Sequence, residues 1–130
     1  DERGEFSVVG LAVGKQPIRA RGGRFAPWRG EVEVQAGLTV TQRIDLGPGA
    51  AMRGRVVEGT GKPVARAEIE IGDWGDIDHF HGTSDAEGAF ELRGLPVGEV
   101  VVRAEQRDHG KARVTVPTTA TEVATCTLTL

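Results

Sequence analysis

The chain has no tyrosine, no asparagine and a single cysteine. One thiol, Cys126, excludes an internal disulfide, so stability must come from an apolar core, which a chain of 130 residues is long enough to build. In Thr125-Cys126-Thr127-Leu128-Thr129-Leu130 the cysteine alternates with threonine and shares a face with Leu128 and Leu130, the pattern of a buried core thiol. No apolar run approaches the ~20 residues of a membrane-spanning helix, and no secretory leader is present. The opening Asp1-Glu2-Arg3-Gly4 reads as the interior of a longer polypeptide, with targeting information upstream. Sixteen basic against 19 acidic residues, net −3, leave no basic stripe, so no nucleic-acid partner is expected. There is no serine elbow, no His-Glu-x-x-His, no phosphate loop and no Cys-x-x-Cys, and Ser7 and Ser84 have no evident base in strand register. No catalytic residue is therefore assigned.

Glycine is abundant, at 19 residues with 6 prolines, and both are scattered in the manner of turns between short strands. The sequence also repeats. Shifted by 84 positions, Asp1-Glu2-Arg3-Gly4-Glu5-Phe6 falls on Asp85-Ala86-Glu87-Gly88-Ala89-Phe90 and Gly10-Leu11-Ala12-Val13-Gly14 on Gly94-Leu95-Pro96-Val97-Gly98. Arg19-Ala20 falls on Arg103-Ala104 and Leu46 on Leu130, with an offset of two residues improving the match near Trp28. On this period residues 47–130 form one complete repeat and residues 1–46 the second half of a preceding one.

Period-2 alternation between turn residues predicts seven strands in the complete repeat: Met52–Glu58, Ala67–Ile71, a short His81–Ser84, Ala89–Arg93, Val100–Glu105, Lys111–Val116 and Val123–Leu130. It predicts four in the half repeat: Glu5–Val9, Pro17–Arg21, Glu31–Val34 and Leu38–Asp45. No segment carries a helical stripe. The expected fold is an all-β antiparallel sandwich. The half repeat, short of three partner strands, should not fold alone and should pack on the complete repeat or pair with another molecule.

The run Met52-Arg53-Gly54-Arg55-Val56-Val57, then Gly61-Lys62-Pro63-Val64-Ala65-Arg66-Ala67, then Thr83-Ser84-Asp85-Ala86-Glu87-Gly88-Ala89-Phe90, then Leu95-Pro96-Val97-Gly98, resembles the carboxypeptidase regulatory-like domain. The resemblance implies a transthyretin-like, prealbumin-type β-sandwich and a non-enzymatic module, either accessory to a hydrolase or repeated in tandem in secreted, periplasmic or cell-surface bacterial proteins. In those turns Asp85 is expected to accept backbone N–H groups, with Asp1 as its counterpart, while Phe90 enters the core. Adhesin repeats with a related sandwich often carry a Lys–Asn isopeptide bond, which a chain without asparagine cannot form. Lys15, Lys62 and Lys111 fall in predicted turns or strand ends as solvated cations.

The loop Gly72–Gly82 breaks the pattern by gathering Asp73, Trp74, Asp76, Asp78, His79, Phe80 and His81. His79 and His81 stand two apart, so in an extended chain both rings face one way and could chelate Zn²⁺, with Asp76 or Asp78 completing the shell. The carboxylates could instead hold Ca²⁺ with backbone carbonyls. Beyond that candidate ion, no cofactor is expected. Trp74, Phe80 and Trp28 are the candidate ligand-binding aromatics, able to stack on sugar rings or to close the end of the sandwich. The leading expectation is a structural or adhesion-type module whose partners are neighbouring repeats, and possible further partners are a protein or a carbohydrate. The alternatives are a carbohydrate- or metal-binding module using the 72–82 loop, and an accessory domain of an adjacent hydrolase.

Overall fold

Alternating apolar positions in residues 50–130 are buried on one side of each strand and solvated on the other, which stacks two sheets face to face. The computed structural model describes residues 1–130 and contains nine strands and no helix. They are β1 (Gly14–Ala20), β2 (Trp28–Val34), β3 (Ala50–Val57), β4 (Glu68–Ile71), β5 (Phe80–Thr83), β6 (Ala89–Leu95), β7 (Gly98–Gln106), β8 (Gly110–Thr118) and β9 (Ala124–Thr129). One sheet has the order β6-β3-β9 and the other β5-β4-β7-β8, while β1 and β2 form a separate hairpin. Met52, Val56, Ile69, Leu95, Val102 and Leu128 are the fully buried centre of the core between the two larger sheets.

All seven strands expected in residues 47–130 are present, each within a few residues of its expected bounds. The pairing departs from the expected antiparallel pattern at one place. β3 pairs antiparallel with β6 but parallel with β9, because the chain returns to β3 from the opposite sheet rather than through a hairpin. Gly54 lies between those neighbours and lacks the Cβ that would strike the Phe90 ring and the Cys126 sulfur. Cys126 is half-buried against the core, its Sγ 3.8 Å from Met52 Sδ, and burial raises its pKa.

Two of the four strands expected in residues 1–46 do not form. Pro17–Arg21 and Glu31–Val34 appear as β1 and β2, whereas Glu5–Val9 and Leu38–Asp45 have no ladder. The reason is pairing. A strand exists only where its backbone groups find a partner. β1 and β2 satisfy each other, with Gly14 opposite Val34 and Arg19 opposite Arg29. β7 and β8 show the same register 84 positions on, Gly98 opposite Thr118 and Arg103 opposite Arg113, so no offset is needed in this hairpin.

The turns behave as their side chains dictate. Asp85 Oδ1 accepts from the backbone N–H groups of Glu87 and Ala89, both at 2.9 Å, and Gly88 takes φ of +73°. Ser84 is buried and structural: its hydroxyl donates to Val64 O at 2.7 Å and accepts from Ala67 N–H at 2.9 Å. That pair of bonds fixes the turn where Arg66 holds φ of +57°.

Candidate functional site

The 72–82 loop is the segment singled out by composition, and the structure places it against the β1–β2 hairpin. Three arginines of the hairpin side make the contact. Arg19 and Arg29 stand directly opposite each other on adjacent strands, a like-charge pair that is unfavourable unless an anion lies between. Asp76 supplies it, 2.5 Å from the Arg29 guanidinium and 3.5 Å from that of Arg19. Arg29 also reaches Asp78 at 2.8 Å. The third, Arg21, donates to the carbonyls of Ile77 at 3.3 Å and His79 at 2.7 Å, and its guanidinium lies 3.8 Å above the Phe80 ring. The Asp78 and Asp76 carboxylates raise the pKa of Arg29. In return Arg29, through its hydrogen bond and charge, holds Asp76 below the usual carboxylate range.

These contacts redistribute the residues picked out in the sequence. Phe80 is not a loop aromatic. It opens β5 at 4% exposure and belongs to the core, so the loop proper ends at His79. Asp76 and Asp78 face arginine rather than imidazole. His79 stacks on Trp74 with ring centroids 4.4 Å apart, and its Nε2 is buried without a protein partner. His81 lies exposed on β5 opposite Glu70. No group of three or more His, Cys, Asp or Glu side chains converges as a metal site would require. Trp74 is 78% exposed, with its indole N–H donating to Glu70 at 3.2 Å. Trp28 is half-buried at the start of β2, its six-membered ring over Gly30. The structure thus brings Trp74 and His79 together but leaves Trp28 on the other side of the junction, on the hairpin.

The arginines carry the junction, and sequence reasoning did not assign them a role. The available signal was the match of Arg19 to Arg103, which marks a recurring position without saying what it touches. A second contact closes the junction at the backbone. Arg24 O accepts from Gly49 N–H at 3.0 Å, and Gly47 O accepts from Ala26 N–H at 2.9 Å. A Cβ at Gly49 would lie 2.6 Å from Arg24 O and 2.7 Å from Gly94 Cα, so only glycine permits the approach.

Two stacked sheets, a serine-tied turn, an Asx turn before β6 and a loop held by charge define an all-β sandwich module with a separate β-hairpin packed on it. The chain belongs to the carboxypeptidase regulatory-like domain family, whose model matches residues 51–130. A search of curated proteins finds no match. Among solved structures, a 9R-lipoxygenase from Cyanothece PCC8801 aligns with a TM-score of 0.38 and 18% identity, over 71% of this chain and 18% of that one. A likeness at that level carries no functional argument.

Proposed function

We propose that the chain is a non-catalytic structural module of the adhesion type, one link of a tandem array in a secreted or surface-exposed bacterial protein, and that residues 1–46 are the second half of the preceding link. The observation that carries this reading is the arginine junction. The hairpin of the N-terminal half grips the acidic loop of the following module through Arg19 and Arg29. The module carries the same cross-strand arginine pair on β7 and β8: Arg113 is exposed, while Arg103 donates to Gly72 O and lies 3.4 Å from Asp73 of the module's own loop. A contact whose donor surface recurs on the acceptor unit is head-to-tail, and head-to-tail contacts propagate. The likeness of the turns to the regulatory-like family supports a module that positions its neighbours.

Backbone ¹⁵N relaxation tests this. The β1–β2 hairpin and residues 50–130 are expected to tumble with one correlation time, and the double variant Arg19→Ala/Arg29→Ala to separate them while the module's spectrum stays dispersed. Independent tumbling in the unaltered chain would overturn the reading.

One observation favours a second reading in which the module also binds. Trp74 is exposed beside His79 and offers an aromatic face to a protein or a carbohydrate. Indole fluorescence during titration with oligosaccharides, compared with Trp74→Ala, checks it, and an unchanged signal removes it.

A further inference from the structure

In the complete module β6 and β9 share one partner. β3 runs between them, antiparallel to the first and parallel to the second. In the N-terminal half the corresponding residues, 5–9 and 38–45, are the two segments without a ladder. The same element is missing beside both.

The turns around the first of these segments nonetheless have the shape of their counterparts in the module. Gly4, Gly10 and Gly14 have φ of +74°, +75° and +116°, and Gly88, Gly94 and Gly98 have +73°, +70° and +129°. Asp1 Oδ1 accepts from Arg3 and Glu5 N–H at 3.0 and 2.8 Å, as Asp85 does from Glu87 and Ala89. The apolar side chains differ sharply in how far they are covered. Phe6 is 57% exposed where Phe90 is 6%. Val8 and Leu11 are exposed where Leu92 and Leu95 are buried. On the opposite rail Leu38 and Val40 are exposed, with Ile44 and Leu46 half-buried.

We infer that residues 5–11 and 38–46 are the rails of a strand-acceptor site, and that its occupant is a β3-like strand supplied by polypeptide N-terminal to Asp1. The inference rests on the repeat reading proposed above. A strand fits better than a merely apolar surface because both rails offer open backbone N–H and C=O groups beside exposed apolar side chains. The module also sets the occupant's pattern. Gly54 pairs with Phe90, whose ring fills the space of a Cβ. The incoming strand therefore carries glycine opposite Phe6, with apolar residues two positions to either side, as Met52 and Val56 flank Gly54.

The test extends the 130-residue chain at its N-terminus with a second copy of its own residues 47–84 and follows amide hydrogen exchange. Residues 5–9 and 38–45 should exchange freely in the unextended chain and slow by about 100-fold or more in the extended one, the behaviour of a formed ladder. Gly54→Leu in the added copy should cancel the protection. Unchanged rates in the extended chain, or equal protection with the leucine variant, overturn the inference. Protection already present in the unextended chain and lost on dilution also overturns it, since a second copy would then fill the slot. The relaxation test of the arginine junction reads residues 14–34 against the module and stands or falls separately.

Discussion

Residues 1–14 and 85–98 share their glycine conformations and Asx turn, yet only the second segment contains a strand outside its hairpin arm. The comparison separates two contributions that are normally seen together. Local chemistry, an aspartate acceptor and glycines at positive φ, shapes the turn without help from the rest of the fold. The ladder does not form locally: β6 exists because β3 is beside it, and residues 5–9 have no such neighbour. β1–β2 persists within residues 1–46 for the converse reason, since each strand of a hairpin carries the other's partner.

The largest effect that should distinguish the halves is at the aromatic position they share. Phe90→Ala should cost about 3–5 kcal/mol in urea unfolding, by loss of a buried ring and the cavity left behind. Phe6→Ala should cost less than about 0.5 kcal/mol, as expected of an exposed side chain. Similar losses at the two positions would mean that Phe6 is covered in solution rather than exposed.

A smaller loss is expected at Ser84, which has no counterpart within residues 1–46. Ser84→Ala leaves Val64 O without its side-chain donor and Ala67 N–H without its acceptor, and should destabilise by about 1–3 kcal/mol. Thermal melting of the variant checks this. A neutral result would show the turn to be held by its backbone bonds alone.

The junction between the halves should respond to acid rather than base. Arg29 depresses the Asp76 pKa, so the ionised carboxylate's contribution is complete above the ordinary carboxylate range and is lost as pH falls through the depressed value. The correlation times of hairpin and module are expected to stay matched from neutral pH down to about 4 and to diverge only below it. Divergence well above that range would show that the Asp76–Arg29 pair does not hold the junction.

The smallest expected response is to metal. With Asp76 and Asp78 held by Arg29, micromolar Zn²⁺ should produce no saturable shift of the His79 and His81 ring signals in the unaltered chain. Releasing the carboxylates with Arg29→Ala is the variant in which any latent affinity would show. Saturation in the unaltered chain would restore the ligand set suggested by the His-x-His spacing.

The sequence by itself determined the all-β class, the positions of the seven strands in residues 50–130, the Asp85 turn and the core role of Phe90. These depend on period-2 patterning and on φ preferences that act within a few residues. Only the tertiary structure decided that Glu5–Val9 and Leu38–Asp45 lack ladders, that β9 runs parallel to β3, and that Phe80 lies in the core. It also decided that Asp76 and Asp78 answer to Arg29 rather than to imidazoles. Each of these depends on a partner tens of residues away, as Arg29 is from Asp76. Spacing along a chain can show that a carboxylate is available, but which cation reaches it is settled by how the strands between them are stacked.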